Sequence, residues 1–553
     1  MNKAVVVGNE DFEKIVSGNA YYIDKTLLIK DLIDTTSGAN VNLFVRPRRF
    51  GKTLTLSTIK CFFEDTLDSE KNISRKNLFT NLSIYKSGEL YTSQMASYPV
   101  INLTFKDHEQ LTWKDAVSQF RLTIRKIYKE HDNLFDKLDD EDKQMFLKYK
   151  TKKASLFEMQ SAFSFLAEKM HDVIGKPAII LLDEYDVPLQ SAYSNGYFSK
   201  MMPFLKNVFL SSFKTNDHLY FAAIVGCLRL SNESLFTGMN NLCVYSVLSP
   251  MFREAFGFTE DDVKELLKYY NIEDKFSLVK EWYNGYLMAG KEIYNPWSIC
   301  SYIRDNRITK VAPKSYWANT GSNKIIKNLI KSHGSDVRYK FQDLLDGKAI
   351  KAKVTENLTY DKMFSSEDMW SFLLFTGYLK SEEFENDVCY LSIPNREVLD
   401  DLRMMCKELL EDDILPKYKP DLLKALKNDD CQSIQDLISG ICEETISYWD
   451  PSAEGYYHGF LTGIFTGMGL RTLSNREKGL GRPDIIVFLG QKQILFELKS
   501  EKDVTVETQI KHALDQIKEN RYIEGAMAEG ATTVVAYGCA FRQKTCAIKK
   551  YEI

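Results

Sequence analysis

The sequence predicts an α/β protein of several domains: a largely parallel sheet covered by helices, then a mostly helical stretch, then a small α/β domain. Three observations predict it. Apolar runs dense in Val, Ile, Leu and Phe alternate with helical stretches up to about residue 250. A G-K-T loop follows the first of these runs, and an apolar hairpin carrying two acids and a lysine lies near the C-terminus.

At 553 residues the chain exceeds what one core serves, and roughly 100 to 200 residues per domain gives about three domains. The texture sets them at 1–250, 251–395 and 396–553. In the first, the runs Val41 to Val45, Val100 to Phe105, Ala178 to Leu182 and Leu219 to Val225 are continuous rather than alternating, as strands buried on both faces are. The second turns to charged helical segments such as Thr259 to Tyr270, broken by aromatic turns, YNGY (Tyr283 to Tyr286) and YNPWS (Tyr294 to Ser298). The third leads through helices into strands Ile485 to Leu489 and Gln493 to Lys499, a helix around Thr508 to Tyr522 and a strand at Thr532 to Tyr537.

Apolar residues are 44% of the chain and charged residues 27%, the balance of a compact globular protein rather than a disordered one. The formal net charge of −4 argues against coating nucleic acid through bulk positive charge, while leaving a local basic cleft open. Ten cysteines stand singly, without a C-x-x-C pair or zinc-type spacing, which points to a reducing compartment and no structural zinc. The N-terminus meets acids before an apolar signal core forms, and no apolar run approaches the roughly 18 to 20 residues of a membrane span. A cytoplasmic protein with no membrane partner is expected; the oligomeric state is open.

The first run leads into Arg46-Pro47-Arg48-Arg49-Phe50-Gly51-Lys52-Thr53 and a helical stretch, Leu54 to Phe63. Strand, G-K-T and helix in that order are the context of a phosphate-binding P-loop. Gly51 lets the backbone approach a phosphate, Lys52 supplies a point charge and the Thr53 hydroxyl can ligate Mg²⁺. The loop departs from G-x-x-x-x-G-K-[ST] in having Arg46 for the first glycine. The run Arg46, Arg48 and Arg49 suits either phosphate contact or a docking surface.

The run Ala178 to Leu182 ends in Asp183 and Glu184. Charges at the end of a buried strand are costly unless exposed in a crevice or paired with a cation. Beside a P-loop, Asp183 can hold Mg²⁺ and Glu184 can polarise a water; Asp186 lies close by. After the next strand, Arg229 stands where a residue sensing the terminal phosphate is placed.

Near the C-terminus, Gly481-Arg482-Pro483-Asp484 opens one apolar strand and Phe496-Glu497-Leu498-Lys499 closes the next. A two-residue Gly490-Gln491 turn pairs Leu489 with Lys492 and so sets Asp484 opposite Glu497, with Cβ atoms about 5 Å apart. The strand period of two keeps Lys499 on that face. Like charges facing each other call for a cation, and Mg²⁺ or Mn²⁺ suits oxygen ligands. Asp484 and Glu497 are thus candidate metal ligands, with Lys499 placed to act on a water attacking a phosphodiester.

Taken with YYIDKT (Tyr21 to Thr26), LLDEYDVPL (Leu181 to Leu189), YWANTG (Tyr316 to Gly321), YYHGF (Tyr456 to Phe460) and SNREKGLGRPD (Ser474 to Asp484), these motifs span nearly the whole chain. The chain resembles the bacterial and archaeal family that joins an AAA-ATPase-like domain to a PD-(D/E)xK nuclease superfamily domain. The resemblance implies a P-loop NTPase sheet of the ASCE/AAA-like kind, ATP as ligand, and a C-terminal nuclease-like domain in which Asp484, Glu497 and Lys499 match the signature. It makes Arg46 unremarkable as a loop residue. It also points to Glu454, Tyr457 and His458 on the helix before the core, and to Gln516 and Tyr522 as a supporting pair after it. An ATP-regulated, Mg²⁺-dependent DNA nuclease is the expectation. The alternative is an ATP-dependent switch, or a nucleic-acid- or protein-binding module, whose nuclease fold is not catalytic; a third reading leaves the P-loop as scaffold only.

Overall fold

Five apolar runs form one sheet. Strands β1 (Val41–Val45), β2 (Val100–Thr104), β3 (Ala178–Asp183), β4 (Leu219–Gly226) and β5 (Leu242–Tyr245) lie in the order β2-β3-β4-β1-β5, every neighbouring pair parallel. β1 and β3 are buried at every position, which is why they lack the alternation of a one-sided strand. Parallel strands end at one edge of the sheet, so the loop after β1 and the acids closing β3 share that edge, with β4 between them. The helices Lys52–Phe63, Trp113–Glu130 and Ala162–Ile174 bury apolar stripes. The second starts where the Thr112 side chain accepts from the Asp115 N–H, capping a turn with no internal partner. The structure, a computed structural model, describes residues 2–36, 38, 40–228, 235–308, 310–317, 335–356, 366–385, 388–409, 415–445, 454–474, 481, 483–501, 504–542 and 545–552.

The chain divides into two compact units, Met1–Thr320 with Ala349–Asp401, and Gly321–Lys348 with Leu402–Ile553. The stretch 251–395 is therefore shared: 251–320 and 349–395 belong with the parallel sheet, 321–348 with the C-terminal unit. Besides its helices, among them Glu260–Tyr269, Phe276–Tyr283, Pro296–Ile308, Ser335–Leu345 and Ser366–Thr376, this stretch forms a hairpin, β6 (Tyr286–Met288) with β7 (Lys291–Ile293). It also forms a small sheet of β8 (Ile350–Lys353), β9 (Lys380–Glu385) and β10 (Val388–Ser392). β8 reads IKAK and β9 KSEEFE, short and polar stretches that do not stand out from the charged segments around them.

In the second unit β11 (Arg471–Ser474), β12 (Ile485–Leu489), β13 (Lys492–Lys499), β14 (Thr533–Arg542) and β15 (Thr545–Lys550) form one mixed sheet in chain order, parallel only between β13 and β14. Ile485, Val487, Ile494, Phe496 and Leu498 join the core with Leu422, Ile438 and Ile464, from helices on one side. Ile486 and Leu495 face the opposite way, against Ile517, Tyr522 and Ile523. The expected helix Thr508 to Tyr522 is two: Val506–Glu519 ends, Arg521 turns left-handed at φ 50°, and Tyr522–Ala528 begins. Among the described residues no helix is long and apolar enough to cross a membrane.

Gly285, in the YNGY turn, has φ 95°, and a Cβ there would lie 2.0 Å from the Pro394 carbonyl oxygen. Gly290 has φ 78° but open space around it. Gly285→Ala combines left-handed strain with overpacking and is expected to cost about 3 kcal/mol, against about 1 kcal/mol for Gly290→Ala. Thermal melts of the two variants check this ordering.

Candidate functional site

The loop after β1 reaches the helix Lys52–Phe63 through two left-handed residues, Arg49 at φ 69° and Gly51 at φ 80°. Glycine adopts that conformation freely, and it stands at the N-cap of the helix, where the first-turn N–H groups have no partner within the helix. Lys52 Nζ donates to the carbonyls of Arg46 (3.1 Å) and Pro47 (2.9 Å) and to Cys227 Sγ (3.3 Å), closing the loop onto the end of β4. Thr53 Oγ1 donates to Asp183 Oδ2 at 2.7 Å. The other Asp183 oxygen is buried without a hydrogen-bond partner. Burial raises the Asp183 pKa against the pull of Thr53 and Lys52. Glu184, left-handed at φ 53°, is raised by burial and then by repulsion from Asp183. A cavity of about 480 Å³ opens here, with Arg48, Arg49, Lys52, Thr53 and Glu184 in its wall.

Two neighbours have other work. Asp186 Oδ2 accepts the N–H groups of Cys227 and Leu228, each at 3.1 Å, and so braces the chain leaving β4. Arg46, expected at the phosphates, is 0% exposed and turned into the protein. Its guanidinium donates to the carbonyls of Val45 (2.9 Å), Tyr245 (2.7 Å) and Phe252 (3.0 Å). The phosphate role is therefore corrected for this residue: Arg46 pins β1 to the end of β5, and burial lowers its pKa to about 9. Arg229 lies outside the described residues.

At the C-terminal hairpin Leu489 pairs with Lys492 and Ile485 with Phe496, so one further step sets Asp484 against Glu497. Asp484 Oδ2 accepts the Leu498 N–H at 2.8 Å, which fixes that register. The period of two puts Asp484, Glu497 and Lys499 on the face of Ile486 and Leu495. Glu497 is 1% exposed; Lys499 Nζ donates to its Oε1 at 3.3 Å, and its Oε2 has no hydrogen-bond partner. Burial, then Asp484, pushes the Glu497 pKa up to about 8. Burial also raises Asp484, against the pull of the Leu498 N–H, Lys499 and His458.

Residues 6–236 match the family described as predicted AAA-ATPase, and residues 452–551 the PD-(D/E)XK nuclease superfamily. The chain joins an AAA-ATPase-like domain to a PD-(D/E)XK nuclease superfamily domain. An uncharacterized protein in the vnfD 5' region of Azotobacter chroococcum mcd 1 is 24% identical over 96% of this chain and 94% of its own length.

Around the nuclease-superfamily hairpin, His458 shares its Nε2 between the Asp484 carbonyl oxygen (2.9 Å) and the Ser474 hydroxyl (3.0 Å), tying helix to hairpin. Tyr457 does not reach the acids; it stacks on Phe541 in the core of the opposite face, 4.5 Å between centroids. The side chain of Glu454 lies outside the described residues. Gln516 (3.4 Å) and Asn520 (3.1 Å) both donate to the Tyr522 hydroxyl; Asn520 belongs to no motif read from the sequence, and the left-handed Arg521 between it and Tyr522 is what brings the two together. Gln509, fully buried, was likewise missed; it bonds Glu501 and Val504 and shapes the loop after β13.

Among the described residues no group of three or more His, Cys, Asp or Glu side chains is gathered for a metal. Two carboxylates, one with a buried oxygen left over, fit an ion such as Mg²⁺ that keeps most of its waters. In the AAA-ATPase-like domain, Thr53 and the spare oxygen of Asp183 offer a similar small donor set.

Glu497 titrates about pH 8 in the folded chain against 4.5 ordinarily, so in that window the folded state holds a proton that the unfolded state has lost. Its contribution therefore favours folding at low pH and is lost as pH rises toward 8. Glu497→Gln is expected to raise the melting temperature of the chelator-treated protein at about pH 8.5 and to leave it little changed at about pH 5. Equal shifts at both values, in parallel melting scans, would contradict a buried, strained carboxylate.

Proposed function

We propose that the chain binds and hydrolyses ATP and that its C-terminal domain is a Mg²⁺- or Mn²⁺-dependent nuclease acting on DNA in the cytoplasm. The observation that carries the nuclease half is the convergence of Asp484, Glu497 and Lys499 on one sheet face, with a buried Glu497 oxygen left unbonded. A bound divalent ion would supply Lewis-acid stabilisation of charge on a phosphodiester and a more acidic water. Asp484 and Glu497 would hold it, and the Lys499 ammonium, 3.3 Å from Glu497, would orient the attacking water or move its proton.

For ATP, the Gly51 loop and Lys52 would hold the outer phosphates, Arg49 would add charge at the cavity wall, and Thr53 with Asp183 would hold the accompanying Mg²⁺. Glu184 would polarise the attacking water. A terminal-phosphate sensor role is kept for Arg229.

Purified protein should cut DNA with Mg²⁺ or Mn²⁺, and Asp484→Ala or Lys499→Ala should slow cutting by roughly 10³-fold with the fold intact. Cutting that persists in both variants removes the assigned site. Lys52→Ala should weaken ATP binding about 10- to 100-fold; unchanged binding would leave the loop a scaffold. The formal charge of −4 favours the second reading, a switch or binding module with a silent nuclease fold. That reading requires ATP-dependent affinity for DNA or a protein partner without cleavage.

A further inference from the structure

We propose that Trp297 is a positioning residue for nucleotide binding, holding the Arg49 guanidinium at the wall of the phosphate cavity. The inference rests on the ATP reading above and assigns a task to the YNPWS turn.

The three arginines of the loop are not equivalent. Arg46 is consumed by backbone carbonyls. Arg48 is half-buried, within the field of Cys227, Asp186 and Glu184. Arg49 alone of the three is exposed, and it makes no hydrogen bond or ion pair with a described residue. Its guanidinium carbon lies 4.1 Å from the centroid of the Trp297 ring. Arg49, Trp297 and Lys52 all line the same cavity.

The indole is itself held from several sides. Trp297 Nε1 donates to the Tyr316 carbonyl at 3.0 Å, and its backbone N–H donates to Asn295 Oδ1 at 2.9 Å. Behind it stands Glu397, 0% exposed, whose carboxylate accepts from the Tyr316 N–H (2.7 Å), the Trp317 N–H (3.0 Å) and the Ser298 hydroxyl (2.8 Å). Glu397 therefore joins Ser298, next to Trp297 in the YNPWS turn, to Tyr316, whose carbonyl accepts from the indole. A buried carboxylate is tolerated when donors surround it, and here they come from the two segments that set the ring. Arginine is flexible and costly to order on binding; a rigid aromatic face meets part of that cost beforehand.

The test uses the full chain, with ATP and AMP titrated in the presence of Mg²⁺ by calorimetry, and melting scans as the control for folding. Arg49→Ala and Trp297→Leu should each weaken ATP binding about 2- to 30-fold and leave AMP binding unchanged. The double variant should be no weaker than the worse single one, and Trp297→Phe should recover most of the affinity. In ATP turnover the losses should fall on KM rather than kcat. Wild-type affinity in Arg49→Ala or in a folded Trp297→Leu protein, or losses that multiply in the double variant, would overturn the proposal. A wild-type chain that binds no ATP would overturn the ATP reading itself, a distinguishable result.

Discussion

Burying a carboxylate oxygen without a donor is among the costlier things a fold can do, and this chain does it at both candidate sites. Asp183 Oδ1 and Glu497 Oε2 are each enclosed and unbonded. Each belongs to an acid raised by burial, and each has a second acid beside it, Glu184 in one case and Asp484 in the other. A sheet built only for stability would place apolar residues there, since well-packed hydrophobic groups of similar size are as stable or more so. A divalent ion bound at either site would offset that cost.

Neighbouring contacts hold those acids in place. In the parallel sheet, β3 is buried along its whole length, so its end cannot shift without dragging Asp183 and Glu184 with it. Asp186 ties the same segment to the chain after β4, and Lys52 closes the loop from the other side. In the C-terminal sheet the Leu498 N–H holds Asp484, and the aromatic stack of Phe465, Phe496 and Tyr537 anchors β13 from the opposite face.

The aromatic turns of the middle stretch gain meaning from the same geometry. Phe50 of the loop packs edge-on to Tyr286 at 5.0 Å, and the Gly257 N–H donates to the Phe50 carbonyl. The loop after β1 is thus supported by chain more than 200 residues downstream, which makes its conformation a property of the whole unit. Arg46 belongs to this support: a guanidinium has enough donors to satisfy three carbonyls at once, whereas a glycine in its place would satisfy none.

Sequence alone determined the apolar central strands of the two larger sheets, the loop after β1 and the hairpin register, because each rests on short-range rules. Burial on two faces gives continuous apolar runs, a two-residue turn sets which residues pair, and a period of two sets which share a face. Those rules placed Val41–Val45 and Ile485–Leu489 to the residue, and put Asp484 and Glu497 on one side of the sheet. Tertiary structure alone decided what each side chain near the sites touches. That Arg46 turns inward while Arg49 lies on Trp297, and that Tyr457 is core while His458 reaches Asp484, depend on contacts between distant segments. No local pattern encodes such contacts, since an arginine or an asparagine is equally at home in water or against a carbonyl, and only the assembled neighbours choose.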